Sequence, residues 1–140
     1  AGPSPLEPAS SERVLVIEDD DDVRQVVVEQ LASLGFQVAG APDGASALTL
    51  IDKNDDFDLF VLDIVLPGGV RGTDIARLVR ERRPDAKILY MSGFVPEAGS
   101  EQDPLDPPAP CLTKPFDKKA LTAMIEDLYA EPPPRRAAPA

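Results

Sequence analysis

Short apolar runs alternate along the chain with stretches in which apolar side chains return every three or four positions. Val14-Leu15-Val16-Ile17 is continuous and rich in β-branched residues, the pattern of a strand buried on both faces. Residues 21–34 then place Val23, Val26, Val27, Leu31 and Leu34 at helical spacing, and Gly35 follows as a stop signal. Phe36-Gln37-Val38 predicts a short second strand. Asp43 is placed to cap a helix carrying Ala47, Leu48 and Ile51. Leu59-Phe60-Val61-Leu62 is a second buried run, and Thr73 is placed to cap a helix with Ile75, Leu78 and Val79 inward, halted by Pro84. Lys87 to Met91 predicts a fourth strand and Cys111-Leu112-Thr113 a fifth. Asp117 then caps a last helix with Leu121, Met124, Ile125 and Leu128 inward.

Strands alternating with helices predict right-handed βαβ crossovers and an α/β fold, a doubly wound parallel sheet with helices on both faces. One segment breaks the alternation. Residues 95–110, VPEAGSEQDPLDPPAP, hold five prolines where a fourth helix should lie. Proline removes a backbone donor and clashes with the preceding turn, so this helix is expected to be shortened or replaced by a Pro-rich loop. Residues 1–12 and 131–140 are Pro-rich and without period, and read as a flexible linker and a flexible tail around one domain at 13–130.

Composition narrows the chemistry. The chain carries 25 Asp and Glu against 14 Lys and Arg, a net charge of −11, which repels nucleic acid and anionic membrane surfaces; neither is an expected partner. There is no histidine, which excludes Ser–His–acid hydrolysis, histidine-ligated zinc and a phosphohistidine within this chain. A single cysteine, the absence of an apolar run near about 18 residues and the lack of a signal pattern predict a cytoplasmic domain.

In an open parallel sheet the site lies beyond the C-terminal ends of the strands. The residues there are Glu18 and Asp19 after the first strand, Asp63 after the third, Ser92 after the fourth and Lys114 after the fifth. Three clustered carboxylates repel one another and call for a cation. Oxygen donors without His or Cys favour a hard ion, and partly hydrated Mg²⁺ fits best. A carboxylate beside such an ion can attack a phosphoryl group to give an aspartyl phosphate. The Lys114 ammonium and the Ser92 hydroxyl would then meet phosphoryl oxygens. Asp20, Asp21 and Asp22 read instead as a solvated helix N-terminus favoured by the helix dipole.

Four ordered motifs resemble the receiver domain of two-component response regulators. VLVIEDDDDVR resembles that family's first strand and acidic pair, and FDLFVLDIVLPGGVRG its phosphoacceptor strand and loop. ILYMSGF resembles the strand ending in the switch hydroxyl, and LTKPF the lysine–proline motif. The resemblance implies a flavodoxin-like five-stranded sheet in the order 2-1-3-4-5 and a cis peptide before Pro115. It implies Mg²⁺ held by Asp19, Asp63 and the Val65 backbone carbonyl, with Glu18 acting through water. Asp63 would be the phosphoacceptor, assisted by Ser92 and Lys114, and the donor a phosphohistidine on a histidine kinase or phosphotransfer protein. Such a chain assists its own phosphorylation and dephosphorylation without being a turnover enzyme.

The loop LPGGVRG and the sequence MSGF look most like receivers at the C-terminal end of bacterial hybrid histidine kinases, which agrees with the lack of a DNA-binding pattern after residue 130. A stand-alone regulator and an unphosphorylated pseudo-receiver are the alternatives. An aspartyl-phosphate hydrolase of the haloacid dehalogenase type would need an aspartate where Val65 stands. Two departures bear on signalling. Cys111 occupies a position where the family often carries a switching aromatic ring, and the Pro-rich segment replaces part of a common readout surface. Ser92, Phe94 and Cys111 are accordingly the expected switch residues.

Overall fold

The computed structural model describes residues 12–53, 56–93 and 109–130. Five strands form one all-parallel sheet in the expected order β2-β1-β3-β4-β5. They are β1 (Arg13–Ile17), β2 (Gln37–Ala41), β3 (Leu59–Asp63), β4 (Lys87–Ser92) and β5 (Cys111–Thr113). Among the described residues, the α-helices are α1 (Asp21–Ser33), α2 (Gly44–Lys53), α3 (Gly72–Arg82) and α4 (Lys118–Ala130), with a 3₁₀ turn at Pro67–Gly69. None is long and apolar enough to cross a membrane.

The continuous apolar runs end up in the central strands because only there are both sheet faces covered. Side chains alternate across a strand, so β1 sends Leu15 and Ile17 to one face and Val14 and Val16 to the other. The first face packs on Ala47 and Ile51 of α2 and on Ile75 and Val79 of α3. The second packs on Val27 and Leu31 of α1 and on Leu121 and Ile125 of α4. Each fully buried Leu or Ile contributes on the order of 2 kcal/mol, so the two layers together hold the sheet rigid at its centre. Buried Gln30 joins α1 to α4, its amide donating to the Lys118 carbonyl at 2.7 Å and to the Thr122 hydroxyl at 3.0 Å.

The helix starts follow local hydrogen bonding. Asp20 caps α1, accepting from the backbone N–H of Asp22 and Val23. Asp43 and Asp117 accept from Ser46 and Ala120 at the starts of α2 and α4. Thr73 is not a cap: α3 begins one residue earlier at Gly72, and the Asp74 carboxylate closes the turn by accepting from the Arg71 N–H at 3.0 Å. The second strand also runs later than its sequence pattern, from Gln37 to Ala41. Residues Ala39-Gly40-Ala41 carry no β signal, and edge pairing with β1 recruits them. Phe36 precedes the strand and is buried against the Tyr129 ring, 5.7 Å between centroids. Glu12 is joined to the sheet, its carbonyl accepting from Gln37. Most of the linker, the tail and the Pro-rich segment after Gly93, including Phe94, lie outside the described residues.

Candidate functional site at the C-terminal edge of the sheet

Parallel strands all end on the same side, and this delivers the chemistry-bearing residues to one edge. Glu18 follows β1 and is fully buried; Asp19 beside it is exposed. Asp63 is the last residue of β3 and Ser92 the last of β4, 5% and 6% exposed. The register pairs Asp63 with Met91 and Ser92 with Thr113, so successive strand ends step past one another around one spot. Lys114 follows directly on β5, its N–H donating to the Ser92 carbonyl at 2.8 Å. The Lys114–Pro115 peptide is cis.

One carboxylate oxygen each from Glu18, Asp19 and Asp63 lie within 4.8 Å of one another. The Lys114 ammonium sits between two of these acids, 2.8 Å from Asp63 Oδ2 and 2.6 Å from Glu18 Oε1. The other oxygens take backbone donors: the Val65 N–H reaches Asp63 Oδ1 at 3.1 Å, and the Asp20 N–H reaches Glu18 Oε2 at 2.9 Å. Glu18 Oε1 faces the ammonium as an ion pair but has no donor in hydrogen-bonding geometry. Three carboxylates against one ammonium leave the site electrically unbalanced.

The protonation equilibria register this imbalance. Burial pushes the Glu18 carboxyl above its ordinary pKa. The Lys114 ammonium and the Asp20 hydrogen bond oppose the rise, and the charge of Asp63 adds to it. Burial works against the Lys114 ammonium, but its bonds to Asp63 and Glu18 prevail and raise its pKa. A hard cation fits the donor set, all carboxylate oxygen, with one ligand open to solvent and one buried oxygen short of a donor. Cys111 opens β5, half-buried opposite Tyr90; burial, and then the charge of Asp63, push its thiol pKa up.

A residue given no role of its own in the sequence motifs shapes the acceptor loop. Gly72 starts α3 directly against the backbone of Asp63: a Cβ there would lie 2.1 Å from the Asp63 carbonyl oxygen and 3.0 Å from Ile64 Cα. Its N–H donates to the Ile64 carbonyl at 2.9 Å and closes the loop from 64 to 72. Gly68 and Gly69, both at φ 87°, turn that loop outward, and Val65 stands 70% exposed at its base. The signal was a glycine at a helix start, where propensity disfavours it unless another backbone comes close.

Known proteins resemble this chain in sequence and fold. Residues 14–126 match the family described as response regulator receiver domain. The chain is 34% identical over 116 residues to the response regulator receiver protein CpdR of Brucella abortus (strain 2308), covering 83% of this chain and 95% of CpdR. It is 32% identical over 121 residues to the sensor kinase CckA of the same strain, covering 86% of this chain and 13% of CckA. The solved receiver domain of the hybrid histidine kinase CckA aligns at a TM-score of 0.68 and 30% identity, covering 84% of this chain and 98% of that one. The Mg²⁺–BeF complex of the response regulator TrrA from Thermotoga maritima aligns at 0.71 and 27% identity over the same shares. With the expected sheet order and an acidic cluster around the buried Asp63 at its C-terminal edge, the chain belongs to the response regulator receiver domain family of two-component signalling.

Proposed function

We propose that Asp63 accepts a phosphoryl group from a phosphohistidine on a histidine kinase or histidine phosphotransfer protein. The observation that carries this reading is the buried Asp63 carboxylate, held by Lys114 at 2.8 Å within 4.8 Å of two further acids. An Asp63 oxygen forms the new bond to phosphorus while the bond from phosphorus to the donor imidazole nitrogen breaks. The imidazole leaves with that electron pair. The Val65 N–H and the Lys114 ammonium orient the carboxylate for attack. Once the phosphoryl group is in place, Lys114 and the Ser92 hydroxyl meet its oxygens. Return to the resting state is hydrolysis, with water attacking phosphorus and Asp63 released as carboxylate.

Glu18, Asp19, Asp63 and the Val65 carbonyl are the residues that would hold Mg²⁺. Bound there, the ion supplies positive charge against the crowded acids and the phosphoryl oxygens. The Mg²⁺–BeF complex described for TrrA supports extending this chemistry here. Ser92, Phe94 and Cys111 form the switch in this reading. Because Cys111 has no ring to turn, the response passes into the segment beginning at Gly93-Phe94.

Similarity to CckA supports a place as the cytoplasmic C-terminal receiver of a hybrid kinase, with residues 13–130 as the folded unit. CpdR, of which this chain covers 95%, supports a second reading as a stand-alone regulator. Phosphotransfer from a phosphorylated histidine donor to the wild-type chain, read as acid-stable, base-labile label, tests the activity. Label that persists on Asp63→Asn would refute the assignment of the acceptor. The mass of the native full-length protein decides between hybrid and stand-alone contexts.

A further inference from the structure

We propose that Arg24 is a positioning residue for the Glu18–Asp19 acidic pair, and that Gly40 is the gap in the sheet surface that admits it. The inference rests on the reading of Glu18, Asp19 and Asp63 as a Mg²⁺ site and assigns that site a part beyond its ligands.

Arg24 lies one turn into α1, where an exposed arginine would ordinarily extend into solvent. Its side chain is instead 22% exposed and folds back over the end of β1. Nη1 donates to the Glu18 carbonyl oxygen at 2.8 Å, and Nη2 holds Asp21 Oδ1 at 2.5 Å. That carbonyl belongs to the peptide joining Glu18 to Asp19, so fixing its plane fixes the direction in which both side chains leave the backbone. Three groups of Glu18 are then fastened: its N–H to the Ala41 carbonyl at 3.0 Å, its carboxylate by the Asp20 N–H and the Lys114 ammonium, and its carbonyl by Arg24. The carboxylate bond to the Asp20 N–H spans the Glu18–Asp19 peptide only through a flexible side chain, whereas Arg24 grips that peptide's carbonyl directly.

The path of the arginine stem explains a glycine in the edge strand. Gly40 pairs with Val16 in the β1–β2 register, and a Cβ there would lie 3.2 Å from Arg24 Cδ and 3.5 Å from Cγ. Glycine weakens a strand, and here its missing side chain is the channel along which the Arg24 methylenes reach the strand end.

Charge and position make opposite predictions for this residue. A guanidinium near a cation site repels the cation, so electrostatics alone predicts that removing it tightens Mg²⁺ binding. Positioning predicts weaker binding, since loss of a partner that orients metal ligands typically costs about 10–100-fold in affinity. The test is a Mg²⁺ titration of the full 140-residue chain followed by amide shifts near 18–20 and 63–65, with wild type, Arg24→Gln and Arg24→Lys compared. Unchanged shifts in β3 and β4 serve as the control for folding. The expected result is about a tenfold loss of affinity in Arg24→Gln. Arg24→Lys, which keeps the charge but not the two-pronged grip, should fall between that variant and wild type. Equal or tighter binding in Arg24→Gln overturns the proposal, and wild-type affinity in Arg24→Lys does so should the glutamine variant fold poorly. Absence of saturable binding in the wild type overturns the Mg²⁺ reading itself, and this inference with it.

Discussion

At the N-terminal end of the sheet, acids and bases are matched. Arg13 donates to Asp56 at 2.8 Å through its guanidinium and to Asp58 at 3.1 Å through its backbone N–H. Arg83 reaches Asp58 at 3.3 Å and the Phe57 carbonyl. The Tyr129 hydroxyl donates to Glu12 at 2.7 Å, while Lys87 lies 4.7 Å above its ring. At the C-terminal end, Glu18 and Asp63 share the Lys114 ammonium, with Asp19 as a third acid beside them. The same sheet thus carries a closed ionic network at one end and an uncompensated cluster at the other. The closed end ties Glu12, the β3 and β4 approaches and α4 together. In the proposed reading, the open end sacrifices stability to stay receptive to added positive charge and a phosphoryl group.

The largest effect is expected from Asp63→Asn, which should abolish phosphotransfer while leaving the fold intact, because the amide nearly keeps the shape but lacks the nucleophilic anion. Circular dichroism beside a phosphotransfer assay checks both halves. Next comes Lys114→Ala. Beryllofluoride affinity should fall about 100-fold, the usual scale for losing one preorganised donor to a phosphoryl-like group, with Mg²⁺ binding retained. A calorimetric titration that found equal affinity would make Lys114 a surface charge and erase the contrast between the two ends.

Gly72→Ala should cost about 1–3 kcal/mol in urea unfolding, since backbone must shift to relieve the contact with the Asp63 carbonyl. It should also weaken Mg²⁺ binding, because the displaced backbone carries a ligand. Asp58→Ala at the matched end should cost about 1–2 kcal/mol of stability, yet leave Mg²⁺ binding and phosphotransfer unchanged. A functional loss there would show that the two ends are coupled.

The smallest effect concerns pH. Burial raises the folded-state pKa of Glu18. Its contribution to stability is therefore fully present below the unfolded value, about 4.3, and is lost as pH rises through the folded value. In EDTA, the wild-type domain should lose melting temperature relative to Glu18→Gln as pH climbs from 4 through the mildly acidic range; Mg²⁺ should narrow the gap.

The strands were legible wherever burial on both faces wrote a continuous apolar run, as in 14–17, 59–62 and 88–91. The second strand was cut short at Val38, three residues before its end at Ala41, because an edge strand needs no such run. Thr73 looked like a cap by composition, but the close approach of Gly72 to Asp63 set the start of α3. Glu18, Asp63, Ser92 and Lys114 were placed by position, each at the end of a recognisable strand, and the structure puts them there.

Local periodicity and the four motifs by themselves determined the fold class and the membership of the family, because both follow from residues near one another in the chain. Only the tertiary structure decided how the charges are shared. It set the Lys114 ammonium between Glu18 and Asp63, folded Arg24 back onto the Glu18 carbonyl across Gly40, and brought the backbone of Gly72 against that of Asp63. Those contacts join residues from 6 to 96 positions apart, measured from Arg24–Glu18 to Lys114–Glu18, and depend on strand register and helix placement. No local pattern encodes such distances, since they arise only when separate elements pack on one sheet.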